Sequence, residues 1–283
     1  MKNNRFAGLF CISMFLCALS FPAKVEAAAA DSTRAPSTAH PALWIRAVQI
    51  LESSKDLVPG KALQKIQELD DKGGVKSQTN VEISIAPDEA GNIKSDIVKA
   101  SKDGKDITGE EKKKAAEREK KEAAAAKKAA KEDRESDSDE RSHSFSMDDG
   151  PFNAERQSDV RVTETRTRET IDGMSCVCFE FSYPEKQKGK ARSKGTPATV
   201  KGTAWIDEGS GHPMKVEFTM DPLPKHVKDM RTTMQYGTDA SGPWVLKQMV
   251  FEAHGAFLVF AKRIRGDMLF SDYWKYEEPA ARE

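Results

Sequence analysis

This sequence has few cysteines and no formal net charge. Four of its 283 residues are cysteine, and two of the four, Cys11 and Cys17, lie near the amino terminus. The other two are too few for the disulfide framework of a small secreted scaffold. Lysine and arginine together number 45, as do aspartate and glutamate, so the formal net charge is zero. This balance gives no electrostatic reason to expect nucleic acid or an anionic lipid surface as a partner.

Long apolar runs are also lacking, with one exception at the amino terminus. Residues 6–21 are predominantly apolar, follow Lys2 and Arg5, and precede a proline and a group of alanines. The run is shorter than the roughly 20 residues that span a bilayer, which disfavours the alternative of a membrane anchor. Leu16 stands where a lipoprotein signal needs a small residue before its cysteine. We therefore predict a cleavable signal peptide at residues 1–27, export to the periplasm and no stable membrane insertion.

The chain carries no recognisable catalytic motif. A nucleophile elbow, a phosphate-binding loop, Rossmann glycines and paired zinc-ligand spacings are all missing. The five histidines are scattered along the chain, which disfavours a metal site. Asp207 and Glu208 are adjacent but fall in a predicted turn, where acidic residues usually serve loop geometry. We therefore expect a protein that is not an enzyme and that uses no metal or cofactor.

Cys176 and Cys178 are two residues apart, so on a strand both thiols point to the same face. Cysteines at this spacing lie near or beyond the Cα separation that a disulfide bridges easily. Export to an oxidising compartment keeps a disulfide open as the alternative. We favour buried free thiols.

The clearest signal in the sequence is a long β-hairpin over residues 199–220. Apolar and polar residues alternate strictly from Met214 to Met220, as expected for a strand with one buried face. Residues 200–206 are also strand-like, and the segment 207–213 between them is rich in Asp, Gly, Ser and Pro. A hairpin that is apolar on one face must bury that face, so further strands and a cover are required.

Similar alternation and turn residues predict strands along most of the remaining chain. Three strands fit between residues 62 and 107. The other predicted strands cover residues 160–170, 174–183, 229–236, 244–253, 256–265 and 270–276, with a turn at 252–255. The count is about eleven antiparallel strands in two blocks of one sheet. The fold class is therefore mainly β with helices (α+β), in one domain formed by residues 41–108 and 151–278.

An amphipathic helix precedes the sheet. After a flexible spacer at residues 28–40, residues 41–54 are predicted to form a helix started by Pro41. Its apolar stripe, a candidate cover or lid for the sheet, consists of Leu43, Trp44, Ala47, Ile50 and Leu51. Packing against the sheet explains this stripe better than contact with a ligand.

A second predicted helix is a charged arm inserted between the two blocks of strands. Residues 109–141 are mostly Ala, Glu, Lys and Arg, which favour helix, and include no large apolar residue. With no apolar face to bury, the arm is expected to be solvated and dispensable for folding. It continues as a linker to residue 150, and residues 279–283 form a short tail.

A set of segments in the second half of the chain shares its pattern with a known family. The segments are GTAWIDEGSGHPMKVEF at 202–218, PLP at 222–224, the strand with Met230, Met234 and Tyr236, GPW at 242–244 and FSDY at 270–273. Together they resemble the outer-membrane lipoprotein-sorting proteins of the LolA/LolB-like superfamily, over residues 174–276. The resemblance implies a strongly curved antiparallel sheet, an incomplete barrel, whose concave apolar face is closed by helices and holds acyl chains. The charged arm departs from the family pattern, and no position here matches the latching arginine of the carriers.

The resemblance and the alternation together indicate a candidate lipid-binding site. The residues expected to line the concave apolar face are Trp205, Met214, Val216, Phe218, Met220, Met234, Met249, Phe251, Phe257 and Val259. Methionine suits such a surface because its flexible thioether adapts to varied apolar partners. The alternative for each of these side chains is a place in an ordinary core.

The function implied is that of a periplasmic protein, similar to lipoprotein-sorting proteins, that binds lipid or lipoprotein acyl chains. The alternative is an envelope sensor or scaffold that uses the same sheet to dock envelope proteins and the charged arm as a spacer. The two hypotheses differ in whether the protein carries a lipid.

Overall fold

The computed structural model describes residues 40–88, 91, 93–131, 150–185, 198–224, 226–257 and 260–277. The predicted signal peptide, nearly all of the spacer, residues 132–141 of the arm, nearly all of the linker after it, the tail and Val259 lie outside these ranges. Most of the described residues are in strands, which confirms the prediction of a mainly β fold. Among the described residues, no helix combines the length and the apolar character that a membrane crossing requires.

The described elements follow one another in chain order as helices and strands. The helices are α1 (Ala42–Glu52), α2 (Thr108–Lys131) and the single-turn 3-10 helix η1 (Ala154–Arg156). The strands are β1 (Leu57–Val58), β2 (Lys61–Leu69), β3 (Val75–Pro87), β4 (Ile93–Lys102), β5 (Lys105–Asp106), β6 (Arg161–Ile171), β7 (Met174–Pro184), β8 (Thr199–Asp207), β9 (Pro213–Asp221), β10 (Val227–Thr238), β11 (Trp244–Phe257), β12 (Phe260–Ser271) and β13 (Trp274–Lys275).

Eleven of these strands form one antiparallel sheet in the order β5-β4-β3-β2-β12-β11-β10-β9-β8-β7-β6. The two end strands, β5 and β6, do not pair with each other in the described chain, so the sheet is open. β12 pairs with β2 and thereby joins the two blocks of strands on either side of α2. A separate two-stranded sheet is formed by β1 and β13. The prediction of one curved antiparallel sheet that forms an incomplete barrel and is interrupted by an inserted helix is confirmed.

The turn predicted at residues 252–255 is wrong, because β11 runs through it. The predicted strand 256–265 therefore spans the end of β11 and the start of β12. Gly255 suggested a turn in the sequence, but a Cβ at this position would lie 2.6 Å from the backbone oxygen of His226. The glycine permits the close approach of β10 to β11, a role that sequence alone does not separate from turn formation.

The bounds of the last predicted strand, residues 270–276, are also wrong. Phe270 lies inside β12 and pairs with Ala62 of β2, and only Trp274–Lys275 form a further strand. Asp272 between them has a φ of 57°, in the left-handed region that aspartate tolerates better than most residues. This reversal of the backbone direction separates β12 from β13.

The large sheet has one covered face, on the side of α1, and one open face. Residues i and i+2 of a strand point to the same face of the sheet, and paired residues on neighbouring strands do too. Once the faces of one strand are known, the register therefore gives the faces of every other strand. On β7, Phe179, Phe181 and Tyr183 belong to the main hydrophobic core of the covered face. Cys176 and Cys178, which precede them in the strand, point the other way and belong to a second, smaller cluster on the open face.

α1 packs on the covered face through Trp44. The centroid of its indole ring lies 4.7 Å from that of Phe152 and 6.0 Å from those of Phe179 and Phe181. Its Nε1–H donates to Oε1 of Gln157 at 2.8 Å, so the polar atom of the ring has a partner. The prediction that this helix covers the sheet is confirmed.

The predicted apolar stripe of α1 is buried to different degrees along the helix. Of the five predicted residues, Trp44 and Ala47 are fully buried. Leu43, Ile50 and Leu51 are half-buried. Leu43 and Leu51 nevertheless pack against the core, so the helix contacts the core near both of its ends as well as in the middle.

The prediction that the charged arm has no face to bury is wrong for the first two turns of α2. Glu111 is 2% exposed, accepts a hydrogen bond from Nζ of Lys114 at 2.6 Å, and Ala115 packs against the core. Thr108 accepts a hydrogen bond from the backbone N–H of Ala100 in β4 at 2.9 Å. The sequence pattern missed this stripe because alanine and charged side chains form it, without any large apolar residue.

We predict that Gly202→Ala destabilises the hairpin of β8 and β9, whereas Gly209→Ala does not. A Cβ at Gly202 would contact the backbone oxygen of Glu217 and lie 2.7 Å from Cβ of Phe218, so the strands must separate. At Gly209 the nearest atom lies 3.7 Å away. Overpacking of this kind costs about 1–3 kcal/mol. Denaturant unfolding of the two variants measures it, and equal stability of both would contradict this packing.

A second prediction concerns the attachment of α2. Ala115→Glu should lower the free energy of unfolding by about 1–3 kcal/mol, because a charge would be placed against the core. Ala116→Glu is the matched control, since the neighbouring side chain is exposed. Thermal unfolding compares the two variants. If both are as stable as the parent, the helix does not pack on β4, and the whole arm is dispensable.

Candidate functional site

The covered face consists of cross-strand rows set by the register of the strands. The methionine row crosses seven strands and contains Gln64, Met268, Met249, Met234, Val216, Ala204 and Phe179. All seven side chains are buried, at no more than 5% exposure. Three of the seven are methionines, which are flexible and fill irregular apolar spaces.

The middle row lies two residues away from the methionine row on each strand, always toward the same end of the sheet. It contains Ile66, Gly266, Phe251, Thr232, Phe218, Gly202 and Phe181. Large aromatic side chains stand next to small residues, and the Cβ of Phe218 lies against Gly202. Phe251 is only half-buried, so burial of the covered face begins to decline in this row.

The rim row lies two residues further again and is half-buried through most of its length. It contains Glu68, Ile264, Ala253, Met230, Met220, Val200 and Tyr183. Met220 and Met230 are placed together because they lie two residues beyond the paired Phe218 and Thr232. The first five residues of the row are each half-buried. The apolar surface of the covered face therefore becomes accessible to solvent at this end.

Charged side chains flank the rim row at its two ends. At one end, the ammonium group of Lys262 lies 3.5 Å from a carboxylate oxygen of Glu68. At the other end, the guanidinium group of Arg156 lies 4.6 Å from the ring centroid of Tyr183 and donates to the backbone oxygen of Pro184 at 3.3 Å. The rim thus combines an apolar centre with polar ends.

Burial keeps the hydroxyl groups of Tyr236 and Tyr273 neutral. The hydroxyl of Tyr236 donates to Sδ of Met234 at 3.5 Å, and burial raises the pKa of Tyr236 well above its ordinary value. Burial likewise raises the pKa of Tyr273, whose hydroxyl donates to the backbone oxygen of Leu246. Neither hydroxyl adds a charge to the apolar rows at neutral pH.

Six of the ten residues predicted to bind lipid lie on the covered face. They are Val216, Phe218, Met234 and Met249, which are buried, and Met220 and Phe251, which are half-buried. Phe257 is the last residue of β11, and its side chain lies outside the description, as does all of Val259. Contact of these residues with a lipid stays a prediction.

Trp205 and Met214 lie on the open face, so the prediction that they share a face with Val216 is wrong. Trp205 pairs with Lys215, but the next residue of β8 pairs with Pro213, which leaves Met214 as the extra residue of a β-bulge. A bulge breaks the alternation of a strand and turns the side chain to the opposite face. The sequence alone does not show it, because the pairing with β8 sets its position.

The open-face cluster contains both described thiols. Cys176 and Cys178 are free and buried, as predicted, and they pack with Trp205 and Met214. Burial raises the pKa of both thiols above the ordinary value of cysteine. The physical cause is that the thiolate is disfavoured away from water.

Of the adjacent acidic residues, Asp207 serves turn geometry, whereas the carboxylate of Glu208 accepts a hydrogen bond from the hydroxyl of Ser175 at 3.4 Å. The carboxylate of Asp207 accepts hydrogen bonds from the hydroxyl of Ser210 and from its backbone N–H, the latter at 2.7 Å. These bonds, the hydroxyl first, lower the pKa of Asp207. Within the described ranges, no group of three or more His, Cys, Asp or Glu side chains is placed to bind a metal ion.

Sequence reasoning missed several residues that complete the three rows. They are Gln64, Ile66, Met230, Ala253, Ile264 and Met268. The signal for β12 was present, since Ile264 and Met268 share a period of two with Phe270 while Arg265 and Asp267 alternate with them. The misplaced turn divided this strand and hid the pattern.

The open face has a groove of its own, with a volume of about 340 Å³, between β9 and β12. Its charged lining residues are Lys215, Glu217, Arg231, Glu252 and Arg265. Lys215 pairs with Glu217 at 2.5 Å, and Arg265 pairs with Glu252 at 3.2 Å. The groove is polar and carries both signs of charge, in contrast to the covered face.

Comparison with known proteins gives no family. No protein-family model matches the chain, and no curated protein matches it. One similar solved structure is a DUF1329 family protein from Desulfovibrio piger, at 12% identity and a TM-score of 0.35 over 84% of this chain and 94% of that one. Another is the MucA/MucB complex of Pseudomonas aeruginosa, at 8% identity and a TM-score of 0.20 over 82% and 99%. At these TM-scores neither structure bears on the function of this chain.

The raised pKa values lead to a prediction for thiol chemistry. At pH 8 a thiol whose pKa is raised is mostly protonated, so Cys176 and Cys178 should react slowly with a disulfide reagent such as DTNB in the native protein. Both should react at once in denaturant. The absorbance of the released thiolate follows the reaction, and rapid reaction of both cysteines without denaturant would show that the open-face cluster is accessible.

Proposed function

We propose that the protein binds the acyl chain of a lipid or lipoprotein on its covered face, as a periplasmic protein of the lipoprotein-sorting type. The observation that carries the proposal is the half-buried rim row, an apolar edge that continues into the buried middle and methionine rows. A chain that enters between Met230, Ala253 and Ile264 would displace water from this edge. Behind the edge it meets side chains that can rearrange.

Burial of the chain would supply most of the free energy of binding. Each methylene group removed from water contributes about 0.8 kcal/mol. Ten enclosed carbons would therefore offer roughly 8 kcal/mol before the costs of association. Met234, Met249 and Met268 are unbranched and can change rotamer as a chain enters, which a core of β-branched residues would resist.

The sequence resemblance to LolA/LolB-like proteins over residues 174–276 supports the same function. The open curved sheet with a helix on one face is the architecture that this resemblance implies. The predicted signal peptide accounts for a periplasmic location. The proposal needs no catalytic step, metal or cofactor.

A second candidate function is that of an envelope scaffold or sensor, and the open-face groove favours it. The groove presents both cationic and anionic side chains, as does a surface that selects a protein partner by charge complementarity. Binding of a partner there would depend on salt concentration and would leave the covered face unchanged. The two candidates therefore use opposite faces of the sheet.

The faces can be compared with one bulky substitution on each. Ala253→Trp should lower the affinity for a fluorescent fatty acid by tenfold or more, because the indole ring would occupy the space between Met230 and Ile264. Val250→Trp is the control, because the same ring would lie in the open-face groove. The increase in probe fluorescence on titration gives the affinity, and thermal unfolding confirms that both variants are folded.

Two results would contradict the acyl-binding proposal. One is a parent protein that does not bind the fatty acid at concentrations below its critical micelle concentration. The other is a folded Ala253→Trp variant with the affinity of the parent. Loss of binding in Val250→Trp alone would move the site to the open face.

A further inference from the structure

Gln64 is an exception among the apolar side chains of the covered face. It lies in the methionine row, 2% exposed, between Met268 of β12 and Val81 of β3. The residues next to it on the same face of β2, Ala62 and Ile66, are also buried and apolar. A leucine or methionine would fit the chemical character of these surroundings better than a carboxamide.

The carboxamide of Gln64 has no hydrogen-bond partner among the described residues. Both its Nε2 and its Oε1 are buried and unpaired. Burial of an amide without partners opposes folding, and nearly all buried polar side-chain atoms in folded proteins do have partners. Gln67, three residues along the same strand but on the open face, shows the usual situation, since its Nε2–H donates to Oε1 of Gln78 at 2.8 Å. An unpaired buried amide therefore requires an explanation.

We infer that Gln64 binds the polar end of a single-chain acyl ligand that enters the covered face polar end first. The inference rests on the proposed function and narrows its ligand to a chain with a small polar end. A carboxamide offers one donor group and one acceptor, so its complement is a polar end that has both. A primary amide or a neutral carboxylic acid satisfies Nε2 and Oε1 together, whereas an ester satisfies Nε2 alone.

The depth of Gln64 determines which polar ends can reach it. Four residues of extended strand, about 13 Å, separate Gln64 from Glu68 in the rim row. The intervening side chain on this face, Ile66, is buried and apolar. A small uncharged end can pass this distance with its chain extending back to the rim. A phosphocholine head is large and charged, so it stays in water near Lys262 and Glu68.

The test uses three uncharged competitors that share a sixteen-carbon chain and differ in its polar end. Hexadecanamide has a donor and an acceptor, methyl hexadecanoate has an acceptor only, and hexadecane has neither. Each competes with a bound fluorescent fatty acid on the parent, on Gln64→Leu and on the control Gln67→Leu. Comparing each competitor between proteins cancels the differences in its solubility.

We expect Gln64→Leu to lower the affinity for hexadecanamide by about tenfold or more, which corresponds to the loss of one or two buried hydrogen bonds. The affinity for methyl hexadecanoate should fall less, and hexadecane should bind to Gln64→Leu at least as tightly as to the parent. Gln67→Leu should change none of the three. Gln64→Leu should unfold at the same temperature as the parent or higher, because its apolar side chain matches the methionine row. Palmitoyl lysophosphatidylcholine should bind both proteins equally.

The outcomes separate this inference from the proposed function. If none of the competitors displaces the probe from the parent, the proposed function fails and the inference fails with it. If all three competitors displace the probe from the parent, but Gln64→Leu lowers the affinity for none of them or for all three equally, the inference alone is overturned. A selective loss for lysophosphatidylcholine would also overturn it, because the polar head would then reach Gln64 by another route. If Gln64→Leu does not fold, Gln64→Met takes its place with the same expected order.

Discussion

The packing of Trp44 on the covered face is the interaction on which the rest of the structure depends. α1 has 11 residues, a length that is marginal for a helix in water, so packing on Phe152, Phe179 and Phe181 stabilises it. Such a helix is about 16 Å long, whereas strands spaced about 4.8 Å apart make a sheet of this size roughly 50 Å wide. A short helix cannot cover that width, and the first turns of α2 cover only a further part of it. The half-buried rim row lies beyond this cover, at one end of the strands.

The two faces of the sheet differ in how they can interact with other molecules. Charged pairs on the open face, such as Arg265 with Glu252, are exposed and contribute little to stability. They favour contacts that are selective and sensitive to salt. On the covered face, binding would instead depend on the removal of apolar surface from water, which is non-directional and large. A flexible apolar ligand would therefore suit the covered face, and under our inference Gln64 would add a directional contact deep inside it.

Local sequence patterns were sufficient for most of the sheet, because alternation and turn residues act between near neighbours. Asp172 and Gly173, for example, both have a positive φ and form the turn between β6 and β7, as their residue types indicate. Several of the failures depend on how strands pair, which local patterns do not show. The bulge at Met214 is set by β8, and the close approach at Gly255 by β10. Gln64 was missed because only the pairing of β2 with β12 and β3 shows that this polar side chain is buried.

Photo-crosslinking is the most direct test of acyl binding on the covered face. A fatty acid with a diazirine in its chain is bound to the protein and irradiated, and the labelled residues are identified by mass spectrometry of peptides. We expect labels on the middle and rim rows, at residues such as Met230, Phe251 and Ile264, and their loss in excess unlabelled fatty acid. Labels confined to the open-face groove, or labelling that excess fatty acid does not reduce, would contradict the account.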